Sequence, residues 1–170
     1  MKNSIYTRLS WRRVLASCVV SGAVVILLAQ TAAAASWSGI EPLKSRRADV
    51  ERALGKPLLD QPGEDGILHF KVAGGMVTVT FVTARFVQTK KLFPALEGTV
   101  LQIVLQHDNS SDTPESLGLR SKSGFEREEG TNGFVYRNLR DGIAYTFIEG
   151  KLRTTRYSAT TDQLARARKG

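Results

Sequence analysis

Apolar and polar side chains alternate along two stretches of the chain, and a single apolar stripe at helical spacing precedes them. Leu68, Phe70 and Val72 alternate with His69 and Lys71; beyond Ala73-Gly74-Gly75, Val77, Val79 and Phe81 alternate with Thr78 and Thr80. A period of two on both sides of a glycine turn predicts a β-hairpin with one buried and one polar face. Residues 99–107 predict a third strand, with Leu101, Ile103 and Leu105 inward and Gln102 and Gln106 outward. Residues 134–138, 143–148 and 151–157 predict three more antiparallel strands, separated by turns at Arg140-Asp141-Gly142 and Glu149-Gly150. Ahead of the first hairpin, Val50, Ala53 and Leu54 share one helical face behind Ser45 as N-cap, and Gly55 and Pro57 end the helix after about ten residues.

The stretches between these elements carry weaker patterns. Residues 60–66 and 85–98 read as loops, 108–114 as a polar linker, and 115–119 as a short helical turn. Residues 124–133 read as an acidic loop or ragged strand, and 163–170 as a basic tail that frays. Short connections between neighbours favour antiparallel pairing, so the expected fold is α+β, an antiparallel sheet with helices on one face. The order of elements repeats, giving one domain over residues 36–161 in two helix-plus-three-strand halves, 36–107 and 112–161, followed by the tail from 162 to 170.

The N-terminal pattern changes the charge balance. Lys2, Arg8, Arg12 and Arg13 precede an apolar run from Val14 to Ala29 and the alanines 32–35, with no acidic residue. This order is that of a secretory signal peptide cleaved near Ala35, and the competing reading is a retained single-span anchor. Taking those four positive charges from the whole-chain +8 leaves +4, which weakens any nucleic-acid argument, and no nucleic-acid partner is expected. Cys18 is the one cysteine and lies in the leader. The mature chain therefore has no disulfide, no zinc-thiolate site and no cysteine nucleophile, and its stability rests on packing.

Candidate chemistry is sparse. His69 and His107 stand in or at the end of predicted strands without a motif partner, and no Gly-x-Ser-x-Gly, His-Glu-x-x-His or phosphate-cradling loop is present. Asp108 beside His107 reads as the start of a polar loop. Glu126, Glu128 and Glu129 lack the alternation of a calcium loop and read as solvated, so neither metal nor cofactor is expected. Tyr136, Tyr145 and Tyr157 read as cross-strand packing pairs, with an aromatic binding strip as the rival. Contact candidates are Trp37 at the new N-terminus, Arg46 and Arg47 in the first helix, His69 and Lys71 on the polar face of the hairpin, and Arg137, Arg140 and Arg153 in the second half. Arg156 belongs to the same basic group, but strand alternation sets it on the face opposite Arg153.

The stretch Trp37-Ser-Gly-Ile-Glu-Pro-Leu-Lys-Ser-Arg-Arg-Ala-Asp-Val-Glu-Arg-Ala-Leu-Gly-Lys-Pro resembles the start of the mature chain in a family of small exported bacterial proteins without assigned function. The likeness extends through Gly98-Thr99-Val100 and Asp141-Gly142-Ile143-Ala144-Tyr145. Members often carry a cysteine before Gly98, which this chain lacks at Thr83-Ala84-Arg85-Phe86. The helix followed by a hairpin is more distantly similar to the unit of the SmpA/OmlA outer-membrane assembly lipoproteins and of the β-lactamase inhibitor protein. That resemblance implies binding of other proteins through the exposed sheet face and loops, without catalysis. The expected function is an exported, non-enzymatic protein-binding or envelope-assembly module whose partner is another envelope or extracellular protein. The rival is a binder of an anionic small ligand, lipid or envelope polymer at the arginines of the second half.

Overall fold

The computed structural model describes residues 35–58 and 66–168. The expected leader apart from Ala35, most of the loop at 60–66 and the last two residues of the tail lie outside them. Among the described residues seven strands form one antiparallel sheet: β1 (Ile67–Val72), β2 (Gly75–Phe81), β3 (Val100–His107), β4 (Glu126–Gly130), β5 (Gly133–Asn138), β6 (Ile143–Ile148) and β7 (Lys151–Ser158). Their order is β1-β2-β3-β7-β6-β5-β4, so two meanders meet where β3 pairs with β7. The acidic stretch after Gly124 is a true strand. It pairs with β5 while all five of its residues stay exposed.

The first hairpin follows its alternation. Leu68, Phe70, Val77 and Val79 are buried while His69 and Lys71 are exposed. Gly75 opens β2 because a Cβ there would run into the backbone oxygen of Gln106 on β3. The third strand departs from strict alternation. A bulge opposite Phe81 inserts Leu101, so Val100 and Ile103 enter the core and Leu101 packs elsewhere.

Helix α1 (Arg47–Leu54) covers this part of the sheet with Val50 and Leu54. It starts one residue later than the sequence suggests. The hydroxyl of Ser45 is taken by the amide of Glu41 at 2.9 Å, and the amide of Arg46 donates instead to the Asp49 carboxylate at 2.9 Å. That bond holds the Asp49 carboxyl below the usual carboxylate range, with Arg52 adding to the effect. Gly55, at φ +84°, closes the helix after eight residues rather than ten.

A second cluster covers the same face at the other end of the sheet. Phe147, Tyr136 and Leu152 are buried there beneath Leu119, with Phe134 stacked on Phe147 at 5.3 Å between ring centres. The cover is the turn-rich segment 113–122, tied by bonds such as Leu119 N–H to Pro114 O at 2.9 Å.

An expected loop and the expected tail both carry helix. The aperiodic stretch 85–98 holds α2 (Ala84–Lys90), capped by the Thr83 hydroxyl, and a 3-10 turn at Pro94–Leu96. The stretch expected to fray, 163–170, overlaps α3 (Thr161–Arg166), capped by Thr160 and Gln163 reciprocally. Leu164 and Ala167 pack with Val82, Val87 and Leu92 in a third cluster, and Phe93 N–H donates to Ala167 O at 2.9 Å. Helices α2 and α3 therefore form their own core instead of joining α1 over the first.

Candidate binding face

Strand register sorts the remaining side chains onto the face opposite α1. Across the sheet His69 stands opposite Thr78, Thr78 opposite Val104, and Val104 opposite Arg156. The row runs on through Ala144 and Arg137 to Glu126. A neighbouring row starts at Lys71 and Met76, passes Gln106, Thr154 and Thr146, and reaches Val135 and Glu128. Every side chain in both rows is exposed or half-exposed, and none belongs to a core cluster. Small and β-branched residues form the floor, cations lie in the middle and toward β1, and glutamates lie on the β4 edge.

The register brings together some of the expected contact residues and separates others. His69 and Arg137 lie in one row and Lys71 in the next. His69 Nδ1 is 3.0 Å from the Thr78 hydroxyl, Lys71 Nζ is 3.4 Å from Asp108, and Arg137 Nη2 is 2.7 Å from Glu128. Arg140 is exposed in the β5–β6 turn. Arg153 is the extra residue where the β6–β7 register shifts, and no strand partner faces it.

The N-terminal candidates serve the cover of the other face. Trp37 is half-buried against the α1 core, and its backbone exchanges hydrogen bonds with Ile40 at 3.1 and 2.8 Å. Arg46 donates from its guanidinium to the backbone oxygens of Ala95 at 2.7 Å and Glu97 at 3.0 Å, clasping the 3-10 turn to the start of α1. Arg47 pairs with Glu51 at 2.6 Å within the helix.

Arg156 joins the site although it stood outside the expected contact set. Its signal was present in the sequence: Arg137 on β5 and Arg156 on β7 each fall opposite Ala144 once the Asp141-Gly142 and Glu149-Gly150 turns fix the register. Both arginines line a cavity of about 280 Å³ with Ala144, Ser158, Thr160 and Thr161. Among the described residues Arg156 makes neither an ion pair nor a side-chain hydrogen bond.

The other titratable candidates belong to the covered face. Tyr145 faces Tyr136 across β5 and β6, and burial raises the pKa of Tyr145 and of Tyr157. Tyr136 packs edge-on to Phe147 at 6.1 Å, the arrangement of a packing pair. His107 Nε2 lies 2.9 Å from the Thr155 hydroxyl, and burial lowers its pKa against a smaller opposing pull from Asp112. Among the described residues no cluster of three His, Cys, Asp or Glu could hold a metal ion, and no helix is long and apolar enough to cross a membrane.

No family model matches the chain, and no curated protein matches it. Among solved structures it is similar to a DUF4309 family protein, YjgB, from Bacillus subtilis subsp. subtilis strain 168. The two share 15% identity over 72% of this chain and 83% of that one, with a TM-score of 0.47. A likeness at that level assigns neither an activity nor a partner.

Proposed function

We propose that this is an exported, non-catalytic binding module that engages another envelope or extracellular protein across the open face of its sheet. The observation that carries this reading is the pair of residue rows running the full width of the sheet with no covering element among the described residues. The floor of Val104, Ala144, Val135, Thr146 and Thr154 is low and stiff, so ordering it against a partner costs little side-chain entropy. Basic groups near the middle and carboxylates on the β4 edge give the face a charge pattern that selects among partners. The resemblance to proteins that bind through an exposed sheet face supports the same reading, as does the leader pattern for export to the periplasm or beyond. The chain is also read as one domain of two similar halves, α1 with β1–β3 and the 113–122 turns with β5–β7.

A capture experiment tests the proposal. The immobilised protein is exposed to envelope extract, and the retained proteins are identified by mass spectrometry. Val104→Lys sets a long cation in the middle of the floor, whereas Arg52→Glu changes exposed α1 on the opposite face. A specific partner is expected to fall at least about tenfold with V104K, through steric and charge mismatch, and to survive R52E. Equal capture by both variants, each with an unchanged Tm, would remove the open face as the contact surface.

A further inference from the structure

Two guanidiniums flank Ala144 on the open face. Arg137 and Arg156 each stand directly opposite it, so their Cα atoms are two strand spacings apart, about 10 Å. The methyl group between them leaves a recess that a longer side chain would fill. That recess is the cavity of about 280 Å³, with hydroxyl-bearing Ser158, Thr160 and Thr161 at its border. It lies just below the usual range of about 300–1,000 Å³ for small-molecule sites, a size suited to one side chain or chain terminus.

The charges around it are unequal. Arg137 is already held by Glu128 at 2.7 Å, and Glu126 stands opposite it on β4. Arg156 is exposed and has no ion-pair partner among the described residues. The recess therefore presents the Arg156 guanidinium, unpaired among the described residues, beside an acidic strand.

We propose that this cavity seats a single carboxylate of the partner protein, an aspartate or glutamate side chain or a C-terminus, with Arg156 as the main donor and Arg137 as the second. The proposal rests on the open face being the contact surface. A guanidinium fork matches the two oxygens of a carboxylate. One monoanion matches the single charge of the Arg156 guanidinium. A phosphate dianion or a polyanionic lipid surface would bring further negative charge against Glu126 and Glu128, and that repulsion selects against it. Ala144 keeps the floor of the seat low, and a long side chain at that position would reach into it.

The test uses the whole chain, expressed with its own N-terminal segment and labelled with nitrogen-15. The side-chain Nε–H resonance of Arg156 is followed during titration with acetyl-Gly-Glu-Gly-amide, then with the glutamine counterpart, inorganic phosphate and phosphatidylglycerol vesicles. A saturable shift is expected with the glutamate peptide, at least about tenfold weaker with the glutamine peptide. By amide shifts across the cavity, Arg156→Gln is expected to weaken binding to a similar degree, and Arg156→Lys to restore only part of it. No saturable shift, an equal response to the glutamine peptide, or tighter binding of phosphate or vesicles would overturn the proposal. Partner capture separates the two readings. Loss in V104K with no change in R156Q keeps the open face and overturns the carboxylate seat, whereas capture indifferent to V104K overturns the open face itself.

Discussion

The two faces of the sheet share every backbone hydrogen bond and differ by a step of one residue. On the covered side Phe70 faces Val77, Val77 faces Leu105, and the row passes Thr155 and Tyr145 to reach Tyr136 and Arg127. One residue along each strand, the open row runs from His69 through Arg156 to Glu126. The first row meets α1 and the 113–122 segment, so bulk and fit decide what it tolerates. The second meets water, so charge and reach decide what it can hold. If the open face is the contact surface proposed above, stability and recognition fall to alternate residues of the same strands, and substitutions on the two faces should act on different measurements.

The largest contrast is expected at Phe147, which is fully buried and touches both Phe134 and Tyr136. Phe147→Ala should cost about 3–5 kcal/mol in urea unfolding through lost burial and the cavity left behind. Gly133→Ala should follow at about 1–3 kcal/mol, because its Cβ would meet the backbone oxygen of Phe147 and force β5 and β6 apart. Arg46→Ala should cost about 1 kcal/mol by freeing the carbonyls of Ala95 and Glu97, with Lys a partial replacement since it lacks the fork. On the open face, Thr154→Ser should stay within about 0.5 kcal/mol of the parent protein. A loss of several kcal/mol there would mean that the open face carries stability as well.

A pH titration draws the finest distinction. Burial lowers the pKa of His107 from its reference of 6.5, so near that pH the unfolded chain binds more protons than the folded one. Stability should therefore decline as pH falls below about 6.5 and level off below the folded pKa, with the full contribution present above 6.5. The decline should shrink in His107→Gln, measured as Tm against pH. An identical slope in the variant would place the titrating group elsewhere.

What could be read from the sequence depended on which physical signal each element carried. The hairpins β1–β2 and β5–β6–β7 were legible because alternation and glycine turns agree. Helix α2 was not, since Val87 is its one buried residue and the seven-residue stretch shows no period. Helix α3 did carry a signal, the Thr160-Thr161-Asp162-Gln163 capping box, which its exposed basic residues outweighed. Strand β4 owes its form to pairing with β5, which an all-exposed pattern cannot announce. For the site, the polar faces were legible strand by strand. The joining of the two hairpin systems through β3 and β7 was not, and it is that seam which puts Arg156 in the row of His69.

The same seam leaves one edge of β3 to be closed by β7. A chain made from its N-terminus completes β3 long before β7 exists, so one edge of Val100–His107 waits without its partner while the whole second meander is synthesised. Neither meander can finish its half of the sheet's centre alone. An unfinished chain thus carries an open, apolar-rich edge that invites pairing with another copy, and arrival of the last strand closes it.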